Sequence, residues 1–457
     1  MSCPSTDRTR SLFRATTLFL LGMSTLPWLG PLVEHGRGRI DGLMGWINNY
    51  ALFWCVTFAV TGLVALRFLD SGERRVAGAV LAGLGGAAAW TWTQTSDPLI
   101  SLGGLGIVAG GIGAFGCAYT VQRAGHPLGH RLTLAVLLTT PALVLVPAFM
   151  IGQTTFEVPP HLSVPGYTNI RAFGHVCATV IAAATLLSVH RQTSRLGVWA
   201  AMATLAMGWC MLFWSGSRAG ALAALLGLAL LLAVLARHIA WTRLLGAGGA
   251  TLAGMLASAL LPVPGGSGSF DMLARLETTL DAMWYTPSIV EPPGTGGMTE
   301  TLDTVSSGRL DLWSWTLGKI AEAPLTGWGY LPMSSMEARP HTLYHSHNIV
   351  LEYWLSYGLP AGSVALGALL LAWGAGVRGV RQHGTPALAA TLACTTVLGL
   401  YGTLSATLFA AWPMLVFMTG LGCVAGCARA MEPDAVPATA PPATKPPETD
   451  ALFPDAA

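Results

Sequence analysis

The chain has 457 residues, of which 53% are hydrophobic and only 10% are charged, whereas a soluble domain carries about 25% charged residues. This composition excludes an ordinary water-soluble core, because uncharged runs such as Ala221–Leu235 and Ala387–Leu400 lie inside stretches of the roughly 20 residues that cross a bilayer. The net charge of +2, without a long basic block, predicts no nucleic-acid partner, and membrane lipids are the expected surroundings.

Apolar windows bounded by charge, proline or glycine predict about twelve transmembrane helices. They are expected near residues 15–33, 46–66, 76–94, 100–120, 132–151, 173–189, 196–214, 219–236, 244–262, 347–373, 385–406 and 410–428. The predicted fold class is therefore an all-α, polytopic integral membrane protein. The expected divisions are a cytoplasmic N-terminus (1–14), helices 1–9 (15–262), one large helical loop (263–346), helices 10–12 (347–428) and a disordered cytoplasmic tail (429–457).

The distribution of basic residues predicts the orientation, because loops that stay in the cytoplasm are enriched in lysine and arginine. With the N-terminus in the cytoplasm, sixteen of the 24 basic residues fall on that side: Arg8, Arg10, Arg14, Arg67, Arg74, Arg75, Arg123, Arg131, Arg191, Arg195, Arg237, Arg243, Arg378, Arg381, Arg429 and Lys445. The large loop then lies on the opposite side. Its apolar residues recur at helical spacing in two stretches, which predicts a helical cap on the membrane surface: Phe270, Met272, Leu273, Leu276 and Leu280, then Leu310, Trp313, Leu317 and Ile320.

Two arginines are predicted at the non-cytoplasmic starts of transmembrane helices. Arg171 follows Tyr167–Ile170, and Arg218 lies in the turn Trp214–Gly220 that interrupts a long apolar stretch. Free amides and the helix dipole already favour an anion at a helix start, and the planar guanidinium suits phosphate oxygens. The alternative is an arginine that extends its charge to the membrane interface for structural reasons alone.

A third outer arginine, Arg309, lies in Ser306–Trp313, where a turn of small residues precedes an amphipathic stretch. An ordinary loop arginine paired with Asp311 is the alternative on local sequence. Together, Arg171, Arg218 and Arg309 suit a diphosphate, which is the charged group of a lipid-linked sugar donor.

Three histidines, His341, His345 and His347, occur within seven residues at the start of a predicted span. Histidine has the unperturbed pKa nearest neutrality and is the usual general base for a hydroxyl. A metal site and purely structural histidines are the alternatives, although Pro340 and the irregular spacing fit poorly with zinc patterns. Glu352 lies within the same span, and the cost of burying its charge predicts an outer histidine or arginine as its partner.

His347-Asn348, followed by nine residues to Gly358 and then by Gly362, resembles the signature of the O-antigen ligase and O-antigen polymerase superfamily. The Ser217–Gly220 and Ser307–Arg309 turns fall where that family keeps its outer arginines. The order of turn, long loop and histidine is more specific than any one motif, and the resemblance covers roughly residues 15–428.

The resemblance implies a bacterial inner-membrane glycosyltransferase with a GT-C-like fold and a large periplasmic loop. Its donor would be a polysaccharide on undecaprenyl pyrophosphate and its acceptor a sugar of lipid A–core. The site would need no metal or other cofactor and would invert the anomeric centre. Its implied residues are His347 and His345 as catalytic groups, Arg218, Arg309 and Arg171 as pyrophosphate ligands, and Asn348, Glu352 and Tyr344 as supporting groups.

Several functions remain open on the sequence alone. An O-antigen polymerase or a protein O-oligosaccharyltransferase would use the same donor chemistry with another acceptor. A transporter is the alternative from a different class, yet transporters place polar residues near the midplane and often carry internal repeats. Here the polar groups cluster at one face, and no repeat is found.

Overall fold

The computed structural model describes residues 9–22, 41–94, 98–151, 170–261, 272, 309–330, 332, 336, 345–405, 408 and 411–430. These residues are helical apart from their connecting turns and one isolated antiparallel bridge between His190 and Ile239. The predicted all-α class is therefore confirmed for this part of the chain. Most of the predicted loop 263–346, including Phe270 and Leu273, lies outside the described residues, as does the predicted tail after residue 430.

The described residues form fourteen α-helices. They are α1 (9–22), α2 (Asp41–Ala65), α3 (Ser71–Gln94), α4 (Pro98–Arg123), α5 (Leu128–Leu138), α6 (Thr140–Ile151), α7 (Ile170–Val189), α8 (Arg195–Ser215), α9 (Arg218–Val234), α10 (Leu244–Ser258), α11 (Arg309–Glu322), α12 (Ile349–His383), α13 (Pro386–Leu404) and α14 (Ala411–Ala430). Every predicted span overlaps at least one of these helices.

Eight of the helical segments are long and apolar enough to cross a membrane, so a polytopic membrane protein is supported while the count of twelve crossings is not confirmed. They are Ala51–Phe68, Ser71–Gln94, Leu102–Arg123, Leu128–Leu145, Arg195–Ser215, Ile349–His383, Pro386–Leu404 and Ala411–Ala430. Shorter apolar helices cover Phe173–Val189 and Arg218–Val234.

Two predicted boundaries differ from the structure. The predicted span 132–151 is divided between α5 and α6, which meet at Thr139 just before Pro141. Proline lacks the N–H that a continuous helix would need there. The span predicted to end at residue 373 continues as α12 to His383, because a helix need not stop where its side chains become basic.

The centre of the bundle is built on close backbone packing, with α4 between α2 and α14. Gly113 of α4 packs directly against the Phe58 carbonyl of α2, and Gly426 of α14 packs against the Tyr119 carbonyl of α4. Small residues at such contacts let helix backbones approach closely, which is how helices associate in a membrane without a hydrophobic driving force between them.

Basic side chains gather at one end of this bundle, called here the basic end. Arg123 pairs with Glu73, and Arg429 lies 3.4 Å from Asp70. Arg243 donates a 2.8 Å hydrogen bond to the His190 carbonyl. The predicted grouping of these arginines on one side is therefore reproduced, while the side of the membrane that they face stays a prediction.

The helices that carry the predicted site begin at the end of the bundle opposite the basic end, and they finish at the basic end. The helices α7 and α9 end beside His190 and Ala236–His238, and α12 ends at His383. His238 Nε2 lies 2.9 Å from the Arg381 carbonyl, so these helices end together at the basic end. The part of α12 after Gly358 runs to His383 and is roughly 37 Å long at 1.5 Å per residue, which places the Gly358 kink and the His347 turn at the opposite end.

Candidate active site

Asn348 begins α12 and fixes the turn that precedes it. Its side-chain oxygen accepts hydrogen bonds from the backbone N–H groups of Val350 at 2.9 Å and Leu351 at 3.3 Å. Asparagine is among the preferred N-cap residues because its short side chain reaches these unpaired amides. The supporting role predicted for Asn348 therefore has a structural basis, since this cap sets where the helix starts relative to His347.

His347 has an unusual backbone conformation. Its φ is +55°, and among the described residues it is the one non-glycine residue with a positive φ. This left-handed conformation costs an L-residue roughly 1–2 kcal/mol, and such residues persist where the surroundings hold them. The His347 side chain is also buried, with 2% of its surface exposed.

Ser346, directly before His347, is held from several directions. Its backbone N–H donates to Glu352 Oε2 at 2.8 Å, and its carbonyl accepts from Trp313 Nε1 at 3.0 Å. Its hydroxyl donates to the Asn348 carbonyl at 2.9 Å. Because Glu352 belongs to α12 and Trp313 to α11, the turn that presents His347 is clamped between two helices.

The rings of His345 and His347 meet edge to face, with centroids 4.5 Å apart and an interplanar angle of 79°. The structure thus brings the two predicted catalytic histidines together, with His345 partly exposed and His347 buried. An imidazole pair in this arrangement offers a proton-accepting nitrogen near the surface of the bundle. Tyr344 and His341 lie outside the described residues.

Glu352 is buried, with 1% of its surface exposed. The sequence predicts a histidine or arginine side chain as its partner. Within the described part of the chain, its hydrogen-bond donor is instead the backbone N–H of Ser346. Burial favours a partner that is already fixed in place, and a backbone amide meets that condition.

A kink in α12 joins it to the segment that follows α11. Gly358 has φ +74° and ψ 168° inside the helix, which interrupts the hydrogen-bond ladder. Trp328 N–H then donates to the Leu355 carbonyl at 2.9 Å, and Leu359 N–H donates to the Pro324 carbonyl at 2.7 Å. The Gly358 noted in the sequence is therefore the point at which the chain after α11 packs into α12.

Arg309 is the first residue of α11 and is partly buried. The predicted helix is confirmed, and its predicted apolar face is right only in part, since Ile320 is buried while Leu310 and Leu317 are 39% and 51% exposed. The buried face carries Leu312 and Thr316 besides Ile320 and packs with Leu351 and Leu355 of α12. Thr316 fits there because its hydroxyl bonds to the Leu312 carbonyl, at 2.7 Å.

Arg218 is the first residue of α9, at a turn packed closely between helices. Gly216 ends α8 with φ +67°, a conformation that favours glycine. The Ser217 hydroxyl lies 3.3 Å from the Tyr401 hydroxyl of α13 and contacts Gly174 of α7 so closely that no Cβ fits there. The start of α9 is thus fixed by α7 and α13, with Arg218 partly buried.

Arg171 lies in the first turn of α7, as the sequence predicts, but its side chain lies outside the described part. His175, one turn further along, was missed in the sequence. It is buried and packs against Trp412 at 4.9 Å and Tyr401 at 6.2 Å between ring centroids. The i, i+4 spacing of Arg171 and His175, which places them on one helix face, is the sequence signal that could have identified it.

The predicted site residues thus form two groups at the end opposite the basic end. One group contains His345, His347, Asn348 and Glu352, and α11 ties Arg309 to it. The other contains Arg218 with Ser217, His175 and Tyr401 around it. Three arginines, Arg171, Arg218 and Arg309, each lie at a helix N-terminus, where the dipole adds to their positive charge.

Comparison with known proteins gives one family match. A search of curated proteins found no match to the chain. Residues 200–366 match the model of a family described as O-antigen ligase, and this segment contains Arg218, Arg309 and the turn around His347. The resemblance predicted from the motifs is therefore confirmed over residues 200–366, where the chain is similar to the O-antigen ligase family.

Proposed function

We propose that the protein transfers a polysaccharide from undecaprenyl pyrophosphate to a sugar hydroxyl of lipid A–core, at the periplasmic face of the bacterial inner membrane. The family match supports a glycosyltransferase of this type. The apolar helices support a multi-pass membrane location. The basic end then faces the cytoplasm by the positive-inside rule, and the His347 end faces the periplasm.

The observation that carries the proposal is the strained, buried turn at His347, held at the start of α12 beside His345. In the proposed reaction His347 accepts the proton of the acceptor hydroxyl as that oxygen attacks the anomeric carbon. The new C–O bond forms while the bond to the pyrophosphate oxygen breaks, so the anomeric centre inverts. A positioned base of this kind contributes typically 10²–10⁴-fold to a rate.

The leaving pyrophosphate gains negative charge as its bond breaks, and Arg218, Arg309 and Arg171 are proposed to stabilise it. Their helix-start positions combine a guanidinium with free amides and a favourable dipole. Fixed positive groups aimed at developing charge are usually the largest single contribution to catalysis. No divalent ion is needed for this chemistry.

The direct test uses purified protein, an undecaprenyl-pyrophosphate-linked oligosaccharide and lipid A–core, with transfer followed by gel shift of the acceptor. Wild-type protein is expected to extend the lipid A–core. His347→Ala is expected to reduce transfer by at least about 100-fold, because the base is lost, while the variant still purifies from the membrane. Wild-type rates in His347→Ala would remove that residue as the base.

The same assay separates the acceptor classes. Extension of lipid A–core supports the proposed ligase. Extension of a second undecaprenyl-linked chain, with lipid A–core left unchanged, would contradict it and indicate a polymerase. Transfer to a serine- or threonine-containing peptide alone would indicate a protein O-oligosaccharyltransferase.

A further inference from the structure

The conformation of His347 depends on how Ser346 is held. The peptide units before and after the Ser346 Cα are each held by a side chain from a different helix, the first through the Ser346 N–H and the second through the Ser346 C=O, so the backbone that enters His347 cannot rotate freely. Ser346 itself is fully buried. Loss of either contact would leave a buried backbone group without its partner, which costs about 1–3 kcal/mol.

Burial of the Glu352 carboxylate is energetically unfavourable. Its presence beside the turn therefore indicates that the carboxylate has a specific role in holding Ser346. It is buried beside the turn, one Oε atom accepts the Ser346 N–H, and within the described residues the other Oε atom has no hydrogen-bond partner. An apolar side chain would avoid the cost of burying a carboxylate but would leave the Ser346 N–H unpaired.

Polar groups near Glu352 lie on the same side of α12. Ser356 is one turn further on and buried, and neither its hydroxyl nor that of the buried Tyr330 has a hydrogen-bond partner in the described part of the chain. Burial raises the pKa of Tyr330 well above its ordinary value, and the nearby Tyr353 and Glu352 raise it further. The hydroxyl groups around Glu352 are polar but uncharged. A glutamine side chain therefore fits at this position as well as a carboxylate does.

We infer that Glu352 is a positioning residue for the transfer reaction: its Oε2 atom holds the Ser346 N–H and thereby keeps His347 in its left-handed conformation. This inference rests on the proposed function. Glu352 acts through its hydrogen bond and not through its charge, and it contacts neither donor nor acceptor. His347 carries the chemistry, and Glu352 determines where its ring lies.

Two substitutions separate the hydrogen bond from the charge. Glu352→Gln keeps a side-chain oxygen for the Ser346 N–H, whereas Glu352→Ala removes it. With the transfer assay described above, Glu352→Gln is expected to stay within about threefold of wild-type kcat. Glu352→Ala is expected to lose about 10- to 100-fold in kcat, as for a buried N–H left without its partner, with an unchanged KM for the lipid-linked donor.

Glu322→Gln is the matched control. Glu322 is an exposed carboxylate of α11, paired with Lys319, and its substitution is expected to leave kcat and KM at wild-type values. Wild-type kcat and KM in Glu322→Gln would show that loss of a carboxylate that holds no turn does not impair transfer.

Three results would overturn the inference. The first is wild-type kcat in Glu352→Ala, and the second is a loss in Glu352→Gln as large as in Glu352→Ala, which would assign the effect to charge. The third is a loss in Glu352→Ala that appears in donor KM or in the yield of folded protein, which would make Glu352 a general structural residue. Absence of transfer by wild-type protein would instead overturn the proposed function, so the two failures are distinguishable.

Discussion

At the scale of single residues, the proposed roles of Arg218 and Arg309 depend on the shape of the guanidinium group. Arginine presents a planar fork of donors to two phosphate oxygens, whereas lysine is a point charge on a flexible stem. We therefore expect Arg218→Lys and Arg309→Lys each to lower kcat about tenfold. The corresponding alanine variants should lower kcat by about 100-fold or more, as for other lost groups that stabilise charge in a transition state.

Lys319→Ala provides the comparison for these variants. Lys319 is a basic residue of the same helix as Arg309, but it pairs with Glu322 at 2.8 Å, so its removal should change kcat less than twofold. Addition of EDTA to wild-type protein should also leave the rate unchanged, since the arginines carry the charge stabilisation. If EDTA abolished transfer and a divalent ion restored it, the arginines would lose this role.

Candidate site residues could be named from the sequence and their roles stay predictions, while their conformations could not be predicted. The order of Arg218, Arg309 and His347 along the chain, together with their predicted helix starts, indicated one chemistry before any geometry was known. The positive φ of His347 could not be predicted from the sequence, because histidine is enriched at positive φ but adopts a negative φ at most positions. The backbone partner of Glu352 likewise depends on a turn whose path is set by α11.

At the scale of elements, the kink in α12 is the place where the segment after α11 packs into this helix. The φ and ψ of Gly358 lie in a region that is essentially restricted to glycine, and its Cα packs against the Leu325 carbonyl. Gly358→Ala should therefore destabilise the protein by about 2 kcal/mol or more. Thermal unfolding in detergent would measure this loss, and kcat should fall with it because α11 and the His347 turn move together.

A glycine of the same helix gives the control. Gly367 has open space where its Cβ would lie, so Gly367→Ala should be neutral or should stabilise α12 by about 0.5–1 kcal/mol. Equal loss of stability in the two variants would mean that α12 tolerates no added side chain, and the special role of the kink would be rejected.

The helices themselves were predictable because apolar length is a local property, and each predicted span overlaps a helix. The face of α11 was predictable only in part. Leu310, Trp313, Leu317 and Ile320 have the right period, yet the buried stripe keeps Ile320 and otherwise consists of Leu312 and Thr316. Packing on α12 selected that stripe, and the contribution of α12 is absent from the local sequence of α11.

At the scale of the whole molecule, the two ends of the bundle differ in chemistry. The basic end gathers arginines that bind backbone carbonyls and carboxylates and so hold the helix ends together. The opposite end carries three arginines at helix starts and a strained histidine. Because the helices that bear the site also end at the basic end, the contacts at the basic end help to hold the site in place from the far ends of these helices.

The basic end should make stability depend on pH through His190. Its side chain is buried and stacks on His238 at 5.7 Å between ring centroids. Burial, aided by the charges of His238 and Arg243, lowers its pKa to about 4, from about 6.5 in an unfolded chain. The unfolded state therefore binds more protons between these values, and stability is present above pH 6.5 and is lost as pH falls toward 4.

The thermal midpoint of the wild-type protein in detergent should accordingly fall by several degrees between about pH 7 and about pH 4, a range that covers both pKa values. His190→Gln, which cannot be protonated, should flatten this dependence. His383→Gln should not, because His383 is exposed at the same end and its charge is solvated in both states. If the two variants lost the same amount of pH dependence, the effect would belong to the overall positive charge of the basic end and not to the burial of His190.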